Sequence, residues 1–194
     1  MVELKIRNMF VSNSSSSSFI IFLDKKPKDK EELKGMLFDG IEEIEVYGYK
    51  LAIDEIASIV FESLGEDYSN WEQLEKKDLY GTILGYEELM IKHEKLDKEF
   101  FDGCKEMKDE YSKNNPNKLW YNDEKWSNKF YNYCNNKLKE NQAEYMKDLK
   151  KLYDDLKGNK KCYLVNFSDD TNDGNVLEHG DIFRNIPNIQ ISEH

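Results

Sequence analysis

"SSSSSFIIFL", residues 14–23, decides how the chain folds. Phe19 to Leu23 is an unbroken apolar run of β-type residues, and it is too short for an ordinary helix. Without alternation it leaves no face for water. It therefore predicts a strand covered on both sides, in the middle of a sheet. The serines ahead of it give two readings. By composition they form a flexible linker. A linker joins two folded units, however, and only Met1 to Asn13 precede this one. Phe10 and Phe19 stand at its ends as aromatic anchors. We expect an ordered loop over Ser12, Asn13, Ser14, Ser15, Ser16, Ser17 and Ser18, its side chains bonded to neighbouring backbone groups.

Outward from this stretch the chain alternates between strand and helix texture. Val2, Leu4 and Ile6 alternate with charged residues and predict a short first strand. After Pro27 a helix carries Leu33, Met36 and Leu37 on one face. Residues 41–53 alternate around Gly48 and read as a strand or hairpin. Ile56, Ile59, Val60 and Leu64 have helical spacing, with Asp54 as the expected N-cap. Ser69 with Glu72 has the spacing of a capping box.

The middle of the chain has a longer rhythm. Tyr86, Met90, His93, Phe100, Cys104, Met107 and Tyr111 fall on one face of a long helix. "NNPNK", residues 114–118, breaks it. Trp126, Phe130, Cys134, Leu138, Tyr145, Leu149, Leu152 and Leu156 then make a second stripe, stopped at Gly158. Two long helices with a short polar break predict an antiparallel helical hairpin over 84–157. Beyond it, "CYLVNF" (162–167) is a strand, "SDDTNDGN" (168–175) a turn cluster, "VLEHGDIF" (176–183) a short helix and "NIQIS" (188–192) a last strand. The fold class expected is α+β, with α/β the alternative. It is one domain over 1–194, with a small sheet built from N- and C-terminal strands and the helical hairpin inserted into it.

Charge narrows the partners. The net charge is −11, and residues 39–78 hold twelve acids and three lysines. A field of this sign repels nucleic acid, so direct nucleic-acid binding is not expected. Such a run is either a solvated face or a surface that competes with nucleic acid for a basic groove on another protein. The residues for that second reading are Glu42, Glu43, Glu45, Glu62, Glu66 and Asp67. Cys104, Cys134 and Cys162 lack C-x-x-C spacing, so free thiols and a cytoplasmic setting in a host cell are expected. The run after the serines is too short to span a membrane, and no membrane partner is expected.

Candidate chemistry is sparse. His93 has no second histidine four residues on, so a helical zinc pair is absent. Trp126, Phe130 and Tyr133 read as core, because stacking platforms for bases come with a basic groove. Lys147, Lys150 and Lys151 are diluted by Asp148, Asp154 and Asp155. Asp169, Thr171, Asp173 and Gly174 resemble the start of a calcium loop, but its twelfth position is Gly180. No cofactor is expected; the one candidate is a divalent metal on Asp169, Asp173 and Glu178, with His179 nearby. The serine loop could hold a phosphate in a backbone nest, yet it lacks the glycines and lysine of a P-loop.

"IRNMFVSNSSSSSFII", residues 6–21, resembles the N-terminal signature I-R-x-x-F-V-S-N-S-S-S-S-S-F of small uncharacterised phage and prophage proteins. Arg7, Phe10, Val11, Ser12, Asn13, Ser14 to Ser18 and Phe19 carry the match. Met9 stands where a glycine is usual. The end of the chain, "FSDD…LEHGDIF…IPNIQIS", resembles the closing segment of such proteins. The resemblance implies a fixed structural role for the serine run and a phage or prophage setting, and it names no catalytic residue. The function expected is a phage or mobile-element accessory protein that binds a host or phage protein. Its target would be a nucleic-acid-targeting defence factor, inhibited in an anti-CRISPR-like way through the acidic surface. The alternative is a nucleotide- or phosphate-processing enzyme that uses the serine loop and residues 169–179.

Overall fold

The computed structural model describes residues 16–38, 40–77, 79, 81–168 and 172–192. The expected strand over residues 2–6, the serine run before Ser16, and Asp169 lie outside them. In chain order the elements are β1 (Ser16–Leu23), α1 (Lys30–Leu37), β2 (Glu43–Val46), β3 (Tyr49–Ala52), α2 (Ile53–Ser63), α3 (Trp71–Glu75) and β4 (Thr82–Leu84). They continue with α4 (Glu87–Asn114), a 3-10 turn (Trp120–Asn122), α5 (Glu124–Lys157), β5 (Lys161–Ser168), α6 (Asn172–His179) and β6 (Asn188–Ser192). The fold is α+β, and among the described residues helix outweighs strand by 57% to 18%.

The four-stranded sheet has the order β4-β6-β1-β5, and every pairing in it is antiparallel. The apolar run is central, as expected: β1 lies between β5 and β6. Phe19, Ile21 and Leu23 point to one face and Ile20 and Phe22 to the other, all buried. The first face carries Tyr163, Val165 and Phe167 of β5 and is covered by α1, α2 and α6. The second carries Cys162, Leu164, Ile189 and Ile191 and packs against Trp71, Leu74, Tyr145, Leu149 and Tyr153. Helices therefore cover both faces of an antiparallel sheet, which is why its middle strand has no polar side.

The serine reading needs correction at its end. Ser16, Ser17 and Ser18 are strand rather than loop. Ser17 is paired with Phe167 on one side and Ser192 on the other. Two ladders outweigh the preference of serine for turns. Ser17 and Ser18 are buried.

Several caps also differ from expectation. α2 starts directly off β3, with the Ile53 N–H donating to the Glu42 carbonyl at 3.0 Å. Its N-cap is Ala52, so Asp54 sits in the first turn, where a carboxylate suits the helix dipole, and pairs with Lys34. Asn70, not Ser69, caps α3 by accepting from the Glu72 N–H at 3.0 Å; the Ser69 hydroxyl donates to Asp67 instead. The β2–β3 turn places Tyr47 at φ 51° and Gly48 at φ 84°, the paired left-handed conformation of a two-residue hairpin turn. α6 begins at Asn172, inside the expected turn cluster, and ends at His179, before the expected helix end. Asp173 in its first turn is favoured there by the dipole.

α4 and α5 form the expected helical hairpin, about 42 and 51 Å long at 1.5 Å per residue. Only its base packs on the sheet. There Tyr145, Leu149 and Tyr153 enter the core, Tyr86 donates its hydroxyl to the Asn188 carbonyl at 2.9 Å, and Lys92 bridges Glu144 at 2.8 Å and Asp148 at 2.7 Å. Leu138, expected in the apolar stripe, is 43% exposed, because it lies on the part of α5 beyond the sheet.

Candidate functional site

Three places could carry function. The first is a buried polar cluster at the end of the sheet where β1 begins. Ser17, Gln190 and Ser192 share one face of the sheet by register, and α6 lays Glu178 over them. The Ser17 hydroxyl donates to Glu178 Oε1 at 2.6 Å. Gln190 donates its amide to the Glu178 carbonyl at 3.0 Å. His179 Nε2 lies 3.9 Å from Glu178 Oε2, and its ring meets Tyr47 edge-on at 5.6 Å. The Ser192 hydroxyl is buried with no hydrogen-bond partner among the described residues. A serine beside a carboxylate can act as a nucleophile and its base. Such chemistry needs a path for substrate, and Ser17 is 0% exposed. The cluster fastens β1 and β6 to α6.

The two candidate loops adjoin this same end. Ser16, where the serine run enters the sheet, is the register partner of Ser168, where the Asp-rich segment leaves it. Of the three expected metal ligands, Asp169 lies outside the described residues. Asp173 is exposed and Glu178 buried, five residues apart on α6, and the structure does not bring them together. Among the described residues no group of three His, Cys, Asp or Glu side chains is placed to hold a metal ion.

The second place is the acidic surface. Glu42, Glu43, Glu45, Glu62 and Glu66 are all exposed. Glu43 and Glu45 share Lys50, at 2.6 and 3.2 Å, so part of the field is neutralised locally. Asp67 does not belong to the open surface. It bridges Lys161 at 2.7 Å and accepts from the Ser69 and Cys162 N–H groups at 3.1 and 3.4 Å. Burial pushes its carboxyl up, but Lys161, Ser69 and Cys162 outweigh that and hold it below its ordinary value.

The third place is the far end of the arm, which the sequence reading passed over. Trp120 packs against Trp126 at 5.5 Å and Phe130 at 5.1 Å, with Lys108 over both the Trp120 and Phe130 rings. Around this cluster Leu119, Tyr121 and Tyr131 are 55%, 57% and 49% exposed. Trp120 touches both tyrosine rings, at 5.6 and 6.4 Å, so the patch is continuous. The signal was present in "LWYN" (119–122), an aromatic run directly after a helix breaker. Farther down the arm, Cys104 and Cys134 meet, Sγ to Sγ, at 3.6 Å. Their sequence spacing had suggested independent thiols, but the hairpin makes them neighbours.

The chain matches no known family model, no curated protein and no solved structure. Among the described residues no helix is long and apolar enough to cross a membrane.

Proposed function

We propose that this chain is an accessory protein of a phage or mobile element that acts by binding a host protein. The observation that carries the reading is the arm tip. Leu119, Tyr121 and Tyr131 stay exposed around a packed aromatic cluster at the end of a helical pair that projects past its sheet. Tyrosine and tryptophan on a rigid support make good interface anchors, because they bury large area at little cost in side-chain entropy. The acidic residues Glu42, Glu43, Glu45, Glu62 and Glu66 suit a basic partner. A nucleic-acid-targeting defence factor offers such a groove, and charge of this sign speeds encounter with it. The N-terminal signature supports the phage setting.

The test is affinity capture from host lysate with the whole chain, followed by mass spectrometry. A partner held by wild type should be lost with Tyr121→Ala plus Tyr131→Ala. Reversal of Glu42, Glu62 and Glu66 to Lys should weaken binding at low salt and abolish its salt dependence. The two tyrosine changes should leave stability within about 0.5 kcal/mol, as exposed positions do. Their neighbour Phe130, 6% exposed, should cost about 3 kcal/mol as Ala. A partner that binds the double tyrosine variant as tightly as wild type would remove the tip from the proposal.

A further inference from the structure

We propose that Cys104 and Cys134 are a reversible oxidation site, closing a disulfide between α4 and α5 that staples the arm at mid-length. The two sulfurs stand 3.6 Å apart on facing helices. A disulfide brings them to about 2.0 Å, so each sulfur has to move by less than about 1 Å. The helices are held in the register this requires. On the sheet side, Asn141 donates to the Leu96 carbonyl at 3.2 Å. On the tip side, Tyr111 donates to Asp123 at 3.2 Å and its ring packs on Trp126 at 4.8 Å. Next to the pair the Tyr133 hydroxyl reaches across to Gly103, where a Cβ would collide with it. The cysteines are thus clamped opposite each other from both directions.

The oxidant required is a low-molecular-weight disulfide such as oxidised glutathione. The Cys134 thiolate attacks one of its sulfurs, expels one small thiol and forms a mixed disulfide. The Cys104 thiolate then attacks the Cys134 sulfur and expels the second small thiol. Two protein thiols become one disulfide, and one small disulfide becomes two thiols. Burial, then its bond to Cys134, pushes the Cys104 thiol up to about 12, so the second step draws on the nearness of the two sulfurs rather than on a ready thiolate. Cys162 is an internal control. It sits on β5 and is 0% exposed, so a soluble oxidant does not reach it.

The experiment equilibrates the native full chain in glutathione buffers from fully reduced to fully oxidised, quenches with acid, and maps tryptic peptides. One linkage, Cys104 to Cys134, should appear as the buffer is oxidised and vanish on reduction, with Cys162 alkylated only after denaturation. Cys104→Ser and Cys134→Ser should each abolish the linkage, and Cys162→Ser should leave its midpoint unchanged. The oxidised chain should also resist proteolysis within 95–140 several-fold longer than the reduced one. Failure of the linkage to form in fully oxidised buffer, a glutathione adduct that persists on Cys134, or equal proteolysis of the two forms would overturn the proposal. None of these readouts needs a binding partner, so they stand apart from the test of the proposed function.

Discussion

Ser17 and Glu178, separated by 161 positions, share a hydrogen bond of 2.6 Å that water does not reach. Ser16 to Ser18 and α6 are therefore parts of one structure. Hydrogen bonds to a buried carboxylate are among the stronger ones, at about 1.5–3 kcal/mol each. Ser17→Ala should lower stability by about that amount in urea unfolding. Paired with Glu178→Gln in a double-mutant cycle, it should show a coupling of at least about 0.5 kcal/mol. Additive effects of the two changes would mean that the contact contributes nothing specific.

Two helical glycines should respond oppositely to alanine. Gly35 in α1 has open space where a Cβ would go, so Gly35→Ala should stabilise by about 0.5–1 kcal/mol through helix propensity. Gly103→Ala meets the Tyr133 hydroxyl and should lose that gain or turn it into a loss. Adding Tyr133→Phe removes the obstructing oxygen and should restore most of it. Thermal melts of the three variants against wild type decide the matter. A stabilised Gly103→Ala single variant would show that the Tyr133 ring swings aside at little cost.

Asp67 should give the protein an acid-sensitive tie between the segment before α3 and β5. Its folded-state pKa is lowered, net of burial, by Lys161, Ser69 and Cys162. The stabilisation is therefore fully present above the unfolded value of about 3.9. It is lost as pH falls through the lower folded value. The pKa of Lys161 is raised by the same pair, so its contribution disappears only at the alkaline end. Asp67→Asn should cost about 1–2 kcal/mol at neutral pH, and its stability should fall less steeply than wild type below pH 4. Parallel acid profiles for the two proteins would assign the slope to other carboxylates.

What could be read from the sequence was what repeats or runs. "FIIFL" announced a strand buried on both faces because no residue in it tolerates water. The stripes from Tyr86 to Tyr111 and from Trp126 to Leu156 announced two long helices because each holds its period for many turns. What could not be read depends on partners distant in the chain. Ser16 to Ser18 have no strand preference of their own, and their conformation comes from β5 and β6. Asn172 to Asn175 look like a turn, yet they open a helix because the sheet below buries Val176 and Leu177. The approach of Cys104 to Cys134 needs the register of the hairpin. That register follows only once the whole connection is known, from the turn at Pro116 through the 3-10 turn at Trp120–Asn122.

The sheet order has a consequence for synthesis. Both neighbours of β1, β5 and β6, come from residues 161–192. While the ribosome makes everything between, Phe19 to Leu23 has no partner strand and is a short, sticky, uncharged segment of the kind that nucleates aggregates. The outer part of the arm draws on local contacts between its own two helices and can form before the sheet does. The nascent chain thus carries its most hazardous strand longest, which makes the interval before residue 161 emerges the window in which a holdase chaperone would matter most.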